Sequence, residues 1–480
     1  MYLGIDIGTS GVKAAVIDEQ DRSVAEAAAP LAVSRPRPQW AEQRPQDWWR
    51  AVELTLDALA ADSPAAMAAV KAIGLSGQML GVTLLDRADR PLRPALLWND
   101  GRAGAECREL ERRFHDFTER VGCRPMPGFP APKLLWLARH EPAALDRACR
   151  VLLAKDYVRL CLTGEAASDR ADSSATLLMD TAGGDWDDAL LAACGIARTM
   201  MPRLVDSAEI AGIVRAELAA RWRLPAGTPV AGGGGDNMCA GIGVGAVRSG
   251  DAYIGLGTSG VYFVANDRFI PSRFAGMHTH RHAVAALYCQ QAVVLSAGAS
   301  LAWVGGLLRA PDLSSLMAEV EAAELIPAET PVFTPYLGGE RTPHDDPTLT
   351  ATFSGLTHET SPLALVQAVM EGVAMALADG HEALIESGAR VGEVRLTGGG
   401  ARSTLWARLV AAALGIPLRL QPHAQTGPAL GAARLARQSV GGPLIAASGS
   451  EAIIVPVEPS LREQLLQKRA LFRRHLHLSR

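Results

Sequence analysis

The chain has 480 residues, with 47 basic and 51 acidic side chains and a formal net charge of −4. This length allows two domains that each bury a core, and the balanced charge without a basic run in its body argues against nucleic acid as the main partner. Seven scattered cysteines without a C-x-x-C pair favour a reduced, cytoplasmic protein, and no stretch predicts a signal peptide or a membrane span.

The first recognisable unit is a strand, a glycine turn and a returning strand. Apolar residues alternate over Leu3–Ile7, which predicts a strand, and Val12–Ile17 predicts the strand that returns from the turn Gly8–Gly11. The two turn glycines let backbone amides approach a ligand closely.

The polar residues around this turn suit a magnesium–phosphate ligand. Thr9 and Ser10 supply hydroxyls, Lys13 a cation and Asp6 a carboxylate beside the turn. A phosphate needs donors and a metal or its waters need an anionic oxygen, so we assign Asp6 to the metal side, through water. A plain glycine hairpin is the competing interpretation.

The same turn recurs in the second half of the chain. Gly255–Val261 reads GLGTSGV, again between apolar runs, and Gly255 stands where the first copy has Asp6. A repeat at this spacing predicts two similar domains, with a nucleotide clamped between two turns. The metal-side carboxylate then belongs to the first half alone.

Between and after the turns, short strands alternate with helices, which predicts an α/β fold. We expect a helix from about Lys133 onwards, delayed by the prolines before it, and a polar turn holding Asp169 and Asp172. Further helices are predicted over 48–60, 103–117, 240–245, 362–378 and 403–414, and further strands over 70–75, 82–86 and 394–396. The domain boundary is predicted after residue 246, giving domains 1–246 and 247–480.

With these segments in place, the chain resembles the FGGY carbohydrate kinases of the actin-like ATPase superfamily. The resemblance runs nearly end to end, through LGIDIGTSGVK, LLWNDGR, MPGFPAPKLLW, GGGGDN, GTSGVYF, PYLGGERTPH, LTGGGARS and GPALGAARLA. It implies two ribonuclease-H-like domains around a cleft, and ATP-dependent phosphorylation of a sugar hydroxyl. Within the family the segments are most similar to the xylulokinases, which implies conversion of D-xylulose to D-xylulose 5-phosphate. Members of the family often form dimers, so a homodimer is a further expectation.

The resemblance also implies residue roles. Asp236, after four glycines, would be the general base that accepts the proton of the attacking hydroxyl. The competing interpretation is that Asp236 caps the N-terminus of a helix. Thr9, Ser10 and Lys13 would serve the ATP phosphates from one side and Thr258 from the other. Gly298, Gly399 and Ser403 would line the nucleotide pocket.

For the sugar, the resemblance points to a set of residues in the first half: Gln78, Met79, Leu80, Trp98, Asp236 and Asn237. Leu80 departs from the family, which has a sugar-contacting histidine at this position. Loss of one polar contact is worth roughly 1–3 kcal/mol, enough to change sugar preference without abolishing phosphorylation. Trp98 could instead be a core residue, and Asn99, Asp100 and Arg102 could reach the sugar or form a buried network.

Three alternatives remain open from the sequence. The acceptor could be another ketose or polyol, the chain could be an actin-like or chaperone-like ATPase, or it could be a catalytically silent sugar sensor. His278, His280 and His282 alternate and would share one face of a strand. We favour a partly exposed strand face near the cleft over a metal site, because no carboxylate or thiol motif adjoins them.

Overall fold

The computed structural model describes residues 1–272, 274–323, 327–420, 427–446 and 453–476. The strands of the first half are β1 (Tyr2–Ile7), β2 (Gly11–Ile17), β3 (Ser23–Pro30), β4 (Glu42–Gln43), β5 (Ala72–Gly77), β6 (Thr83–Leu85), β7 (Ala95–Leu96), β8 (Arg150–Leu152), β9 (Ala167–Asp169), β10 (Met179–Asp180), β11 (Asp185–Trp186), β12 (Arg203–Val205), β13 (Ile210–Ile213), β14 (Pro229–Ala231) and β15 (Gly234–Gly235). Its helices are α1 (Pro45–Asp62), α2 (Pro64–Ala68), α3 (Gly104–Arg113), α4 (Phe117–Val121), α5 (Pro130–His140), α6 (Pro142–Asp146), α7 (Ala154–Thr163), α8 (Arg170–Ser174), α9 (Asp188–Ala193), α10 (Ala216–Arg221) and α11 (Asp236–Val244).

The second half has fewer and longer elements. Its strands are β16 (Ala252–Leu256), β17 (Gly260–Asn266), β18 (His278–Arg281), β19 (Tyr288–Val294), β20 (Val332–Thr334), β21 (Thr352–Ser354), β22 (Val394–Thr397), β23 (Leu418–Leu420) and β24 (Ile453–Val455). Its helices are α12 (Gly298–Leu307), α13 (Leu313–Ala322), α14 (Pro362–Glu386), α15 (Thr404–Leu414), α16 (Gly427–Ser439) and α17 (Pro459–His475).

The two halves are built on matching mixed sheets. The first runs β3-β2-β1-β5-β14-β13, with β15 also beside β5, and the second runs β19-β17-β16-β22-β23-β24, with β18 added beside β19. In both, the strand before the glycine turn pairs antiparallel with the strand after it and parallel with a later strand. The repeated turn therefore marks a repeated domain core, as predicted.

One helix of the second half packs on the sheet of the first. α16 lies against β1, β5 and α11. Two glycines permit this close approach: a Cβ on Gly4 would overlap the carbonyl oxygen of Ala429, and a Cβ on Gly431 would overlap that of Cys239. No sequence pattern indicated this contact between the two halves.

Three local elements differ from their predictions, two in where a helix begins and one in the type of structure. α5 begins at Pro130 rather than near Lys133, because a helix tolerates proline in its first turn, where the missing amide would be unpaired. Asp169 caps α8 and Asp172 lies inside that helix, so the predicted polar turn is wrong. α11 begins at Asp236, before the predicted 240.

One further expectation concerned membranes. α14 is long and apolar enough to cross a membrane by length and composition, which corrects the prediction that no such stretch exists. However, 89% of its apolar window is buried inside the protein, where it packs against α12, α15 and β19. This helix is therefore the central helix of the second domain's core.

Candidate active site

A cavity of about 650 Å³ opens beside the second glycine turn. All four residues predicted on this side line it: Thr258, Gly298, Gly399 and Ser403. Apolar side chains from α12, α13 and α15 complete the wall. The cavity thus combines backbone-rich turns with an apolar surface, which suits a nucleotide with phosphates and a flat base.

The second turn is held against the N-terminus of α12. The amide of Gly298 donates to the Gly257 carbonyl at 2.9 Å, and the amides of Ala297 and Ala299 both donate to the Thr258 carbonyl at 3.0 Å. A Cβ on Gly298 would lie 2.5 Å from the Gly257 oxygen, so this position needs glycine. Helix α12 therefore points its positive end at the turn, where anionic phosphates are favoured.

A smaller cavity of about 190 Å³ lies between the two halves. Five of the predicted sugar residues line it: Met79, Leu80, Trp98, Asp236 and Asn237. Gln78 does not line it. Residues that the sequence had not assigned complete the wall, among them Phe129, His278, His280, Gln291 and Arg341.

Asp236 is the first residue of α11, and the N-cap position belongs to Gly235. Its Oδ1 accepts the amide hydrogen of Asn237 at 2.8 Å. Burial, with the nearby charge of Asp6 as a second cause, raises the pKa of Asp236 to about 7. A carboxylate with a pKa near neutrality, facing a cavity, has the properties of a general base.

Asp6 lies at the end of β1, opposite Lys13 on one side and Ser76 on the other. The Ser76 hydroxyl donates to its Oδ1 at 2.9 Å. Burial raises the pKa of Asp6 to about 6, while the Ser76 hydrogen bond and the Lys13 charge oppose that rise. Lys13 and Ser10 themselves are exposed.

The donor set around Asp6 suits a hard cation held mainly by other ligands. It offers carboxylate oxygen, and no cluster of three or more histidine, cysteine, aspartate or glutamate ligands occurs in the described part of the chain. Mg²⁺ usually keeps several waters and binds through one or two carboxylates together with substrate phosphates. The residues present therefore fit a metal that arrives with a nucleotide.

Gln78 does not line the smaller cavity but forms hydrogen bonds with residues beside it. Its side-chain oxygen accepts the Thr9 hydroxyl at 3.1 Å, and its amide nitrogen donates to the Gln43 side chain at 2.8 Å. The Thr9 hydroxyl oxygen in turn accepts the indole N–H of Trp98 at 3.0 Å. This chain of hydrogen bonds ties the first turn to the wall of the smaller cavity.

Lys133 was not singled out by the sequence, yet it holds two walls of this cavity together. Its ammonium donates to the carbonyl of Leu80 at 2.9 Å and to that of Leu97 at 2.5 Å. Leu80 has a φ of 68°, an unusual conformation for a leucine, and the Lys133 bond fixes its carbonyl. The sequence feature that could have pointed to this role is a single lysine within an apolar helical stretch.

Asp100 and Arg102, which follow Trp98, form a buried network with Glu42 rather than a sugar contact. Arg102 donates to both carboxylate oxygens of Asp100, at 2.8 and 2.7 Å, and to Glu42 at 2.7 Å. Its guanidinium stacks 3.6 Å from the ring centre of Trp40. Asp100 also accepts the Ala41 amide. None of these residues lines the smaller cavity.

Another buried ionic cluster lies beneath Asp236. The ammonium of Lys155 contacts Asp156, Asp169 and Asp172 at 2.8, 2.7 and 3.0 Å. An oxygen of Asp172 lies 3.0 Å from where a Cβ on Gly235 would be. The cluster therefore supports the residue that precedes the candidate base.

The alternating histidines are buried, which corrects the expectation of a partly exposed face. His278, His280 and His282 are only 5%, 1% and 3% exposed. His278 and His280 lie on β18, and they line the smaller cavity, whereas His282 does not.

Comparison with known proteins decides the family. Residues 1–243 match the N-terminal domain of the FGGY family of carbohydrate kinases, and residues 252–439 match its C-terminal domain. The chain belongs to the FGGY family of carbohydrate kinases. It is therefore an ATP-dependent sugar kinase with two ribonuclease-H-like domains.

Individual relatives agree with this family. The chain is 45% identical to a xylulose kinase of Escherichia coli (strain K12) over 91% of this chain and 90% of that protein. A crystal structure described as a xyloylose kinase from Brucella ovis has 42% identity and a TM-score of 0.94, covering 99% of both chains. A xylulose kinase structure from Rhodospirillum rubrum has 28% identity and a TM-score of 0.89, covering 99% of this chain and 98% of that one.

Proposed function

We propose that this FGGY kinase transfers the γ-phosphoryl group of ATP to D-xylulose, forming D-xylulose 5-phosphate. The xylulose kinases among its relatives support the substrate. The observation that carries the mechanism is the buried carboxylate of Asp236, with its pKa raised to about 7, in the cavity between the two domains.

In this proposal Asp236 accepts the proton of the 5-hydroxyl as its oxygen bonds to the γ-phosphorus and ADP leaves. Such a transfer needs alignment and charge neutralisation more than covalent chemistry. ATP occupies the larger cavity beside Thr258, Gly298, Gly399 and Ser403, with its phosphates between the two glycine turns. Thr9, Ser10 and Lys13 contact the phosphates from the first turn.

Mg²⁺, when bound with ATP, supplies positive charge that offsets the phosphate oxygens. We assign Asp6 to it, through a water molecule, because Asp6 offers a carboxylate oxygen at the end of the strand that enters the first turn. Ser76 orients that carboxylate by its hydrogen bond to Oδ1.

The sugar occupies the smaller cavity, in contact with Met79, Leu80, Trp98 and Asn237. Gln78 acts indirectly, through Thr9. Another ketose or polyol is the second candidate substrate, because the side chain of Leu80 cannot form a hydrogen bond with a sugar hydroxyl.

The test is ADP release with Mg-ATP across D-xylulose, L-xylulose, D-ribulose, L-ribulose, D-fructose and ribitol, with a blank that lacks sugar. We expect the highest kcat/KM for D-xylulose, and no activity above the blank for Asp236→Ala. If another sugar is preferred, the kinase mechanism stands and the substrate assignment is wrong. If no sugar raises turnover above the blank, the proposed function is wrong.

Leu80→His is the second arm of this test. The left-handed backbone at this position accepts histidine at least as readily as leucine, so the variant should fold. A gain in kcat/KM for D-xylulose of up to about 100-fold would show that the missing polar contact limits the natural protein.

The remaining assignments are also proposals. All seven cysteines are free thiols, which supports a reduced, cytoplasmic setting. The gap between the two matched family segments, 243 to 252, supports a domain boundary near residue 247. The homodimer stays a prediction, which light scattering of the purified protein would measure.

A further inference from the structure

The smaller cavity, which we assign to the sugar and call the acceptor cavity, has a polar wall that the first domain does not supply. The sugar residues assigned above all belong to residues 1–246, but His278, His280, Gln291 and Arg341 come from the second domain. Gln291 already pairs with the Asn237 side chain at 3.1 Å. The other three have polar atoms left for a ligand.

His278 and His280 are buried with unused ring nitrogens. Nε2 of His278 and Nδ1 of His280 have no hydrogen-bond partner within the described ranges. Their ring neighbour is Phe129, with centroids 5.2 Å from His278 and 6.2 Å from His280. Burying polar atoms unpaired costs free energy, so two such nitrogens on rings that line one cavity indicate a polar occupant.

Both imidazoles are neutral, because burial lowers the pKa of His280 to about 3 and that of His278 well below its ordinary value. A neutral imidazole has one donor and one acceptor nitrogen. A sugar hydroxyl is likewise both donor and acceptor, so hydroxyl groups match these rings better than a cation or an anion does.

Arg341 contributes donors only. Its guanidinium makes no ion pair within 4.0 Å to any part of the chain that the structure covers, so its N–H groups can donate to a ligand oxygen. Asp345 lies close enough for its charge to act on Arg341, and Asp236 lines the same cavity. These carboxylates offset the positive charge, which favours a neutral, oxygen-rich ligand over a sugar acid.

We infer that His278, His280 and Arg341 determine acceptor specificity by binding the hydroxyl and carbonyl oxygens of a neutral ketose that do not receive the phosphoryl group. This inference rests on the proposed function. It explains how a pocket with leucine at position 80 still selects a polyhydroxylated substrate. It also means that the sugar is held by both domains, so that sugar binding favours their approach.

The test compares His278→Phe, His280→Phe and Arg341→Met with a matched control, His282→Phe. His282 belongs to the same alternation and is equally buried, but it lies outside the cavity lining. We measure KM and kcat for the preferred ketose, KM for ATP, the ATP hydrolysis without sugar, and D-xylulose binding by calorimetry.

We expect roughly 10- to 100-fold higher KM and weaker ketose binding in the three cavity variants. The KM for ATP and the hydrolysis without sugar should stay within about 2-fold of the natural protein, as should every parameter of His282→Phe. Arg341→Met, in a loop, carries the test if a histidine variant fails to fold.

Cavity variants that fold and keep the natural KM for the ketose would overturn the inference. A natural protein that prefers D-gluconate to every ketose would overturn its neutral-substrate part. Failure of the proposed function is distinguished by the natural protein alone, which would then phosphorylate none of the ketoses or polyols.

Discussion

Trp98 donates its indole N–H to the hydroxyl oxygen of Thr9 across 3.0 Å, although 89 residues separate them. Trp98 lines the acceptor cavity, and Thr9 lies in the first glycine turn. The same hydroxyl donates to Gln78. One side chain of the phosphate turn is thus oriented by the wall of the sugar site, and sugar and phosphate binding should be coupled through it.

Trp98→Phe removes this hydrogen bond and keeps an aromatic ring in the wall. We expect kcat/KM for the sugar to fall about 2- to 10-fold, as is typical for the net loss of one hydrogen bond. Thr9→Val should cost a similar factor, and the double variant should cost less than the product of the two, because the same bond is lost. Thr9→Ser is the control. Strict additivity in this cycle would show that the bond carries no coupling.

The pH dependence of turnover should report Asp236. Its pKa is about 7, so a growing fraction is protonated as the pH falls below 7 and cannot accept the hydroxyl proton. We expect log kcat/KM to fall with unit slope below that pH. Asp6→Asn removes the second cause of the raised pKa and should shift this limb to lower pH while lowering the rate. A pH-independent kcat/KM between 5 and 8 would contradict the assignment.

Asp236→Asn should make the protein more stable at pH 8. The carboxyl has a pKa of about 7 when folded and about 3.8 when unfolded, so between these values the folded state binds more protons. Stability contributed by this group therefore falls as pH rises through that window and is lowest above about 7. We expect a gain of about 1–4 kcal/mol at pH 8, which disappears near pH 4, measured by urea unfolding.

The control for this experiment is Asp188→Asn. Asp188 is likewise the first residue of a helix, α9, but its side chain is 73% exposed and paired with Arg198 at 3.0 Å. Its replacement should leave stability unchanged or slightly lower at pH 8. Equal behaviour of the two variants would mean that burial of the Asp236 carboxylate is not the cause.

Gly298→Ala should weaken ATP binding. The added methyl group would lie 2.5 Å from the Gly257 carbonyl oxygen, so the second turn must move away from α12. Overpacking of this kind costs about 1–3 kcal/mol, and we expect KM for ATP to rise about 10-fold while the sugar KM changes little. Gly306→Ala, in the same helix, meets nothing within 4 Å and should leave both constants unchanged. An unchanged ATP KM in Gly298→Ala would contradict the placement of the nucleotide.

The sequence by itself determined the local structure that depends only on residues close together in the chain. The strand, turn and strand around Thr9, and their copy around Thr258, follow from alternation and glycine spacing within about fifteen residues. The matching order of the two sheets confirmed the duplicated domain. Met79, Leu80, Trp98 and Asp236 were grouped as sugar residues because their motifs resemble those of a known family. They line one cavity in the structure, and their contact with a sugar stays a prediction.

Only the tertiary structure decided which distant side chains meet. Arg341 and His278 reach the cavity of Asp236 through the packing of the two halves, and α16 packs closely on the first sheet at Gly4 and on α11 at Gly431. Such contacts depend on how whole elements pack, which leaves no periodic trace in the chain. Burial likewise sets the raised pKa of Asp236, because the loss of solvent around a carboxylate depends on the complete fold.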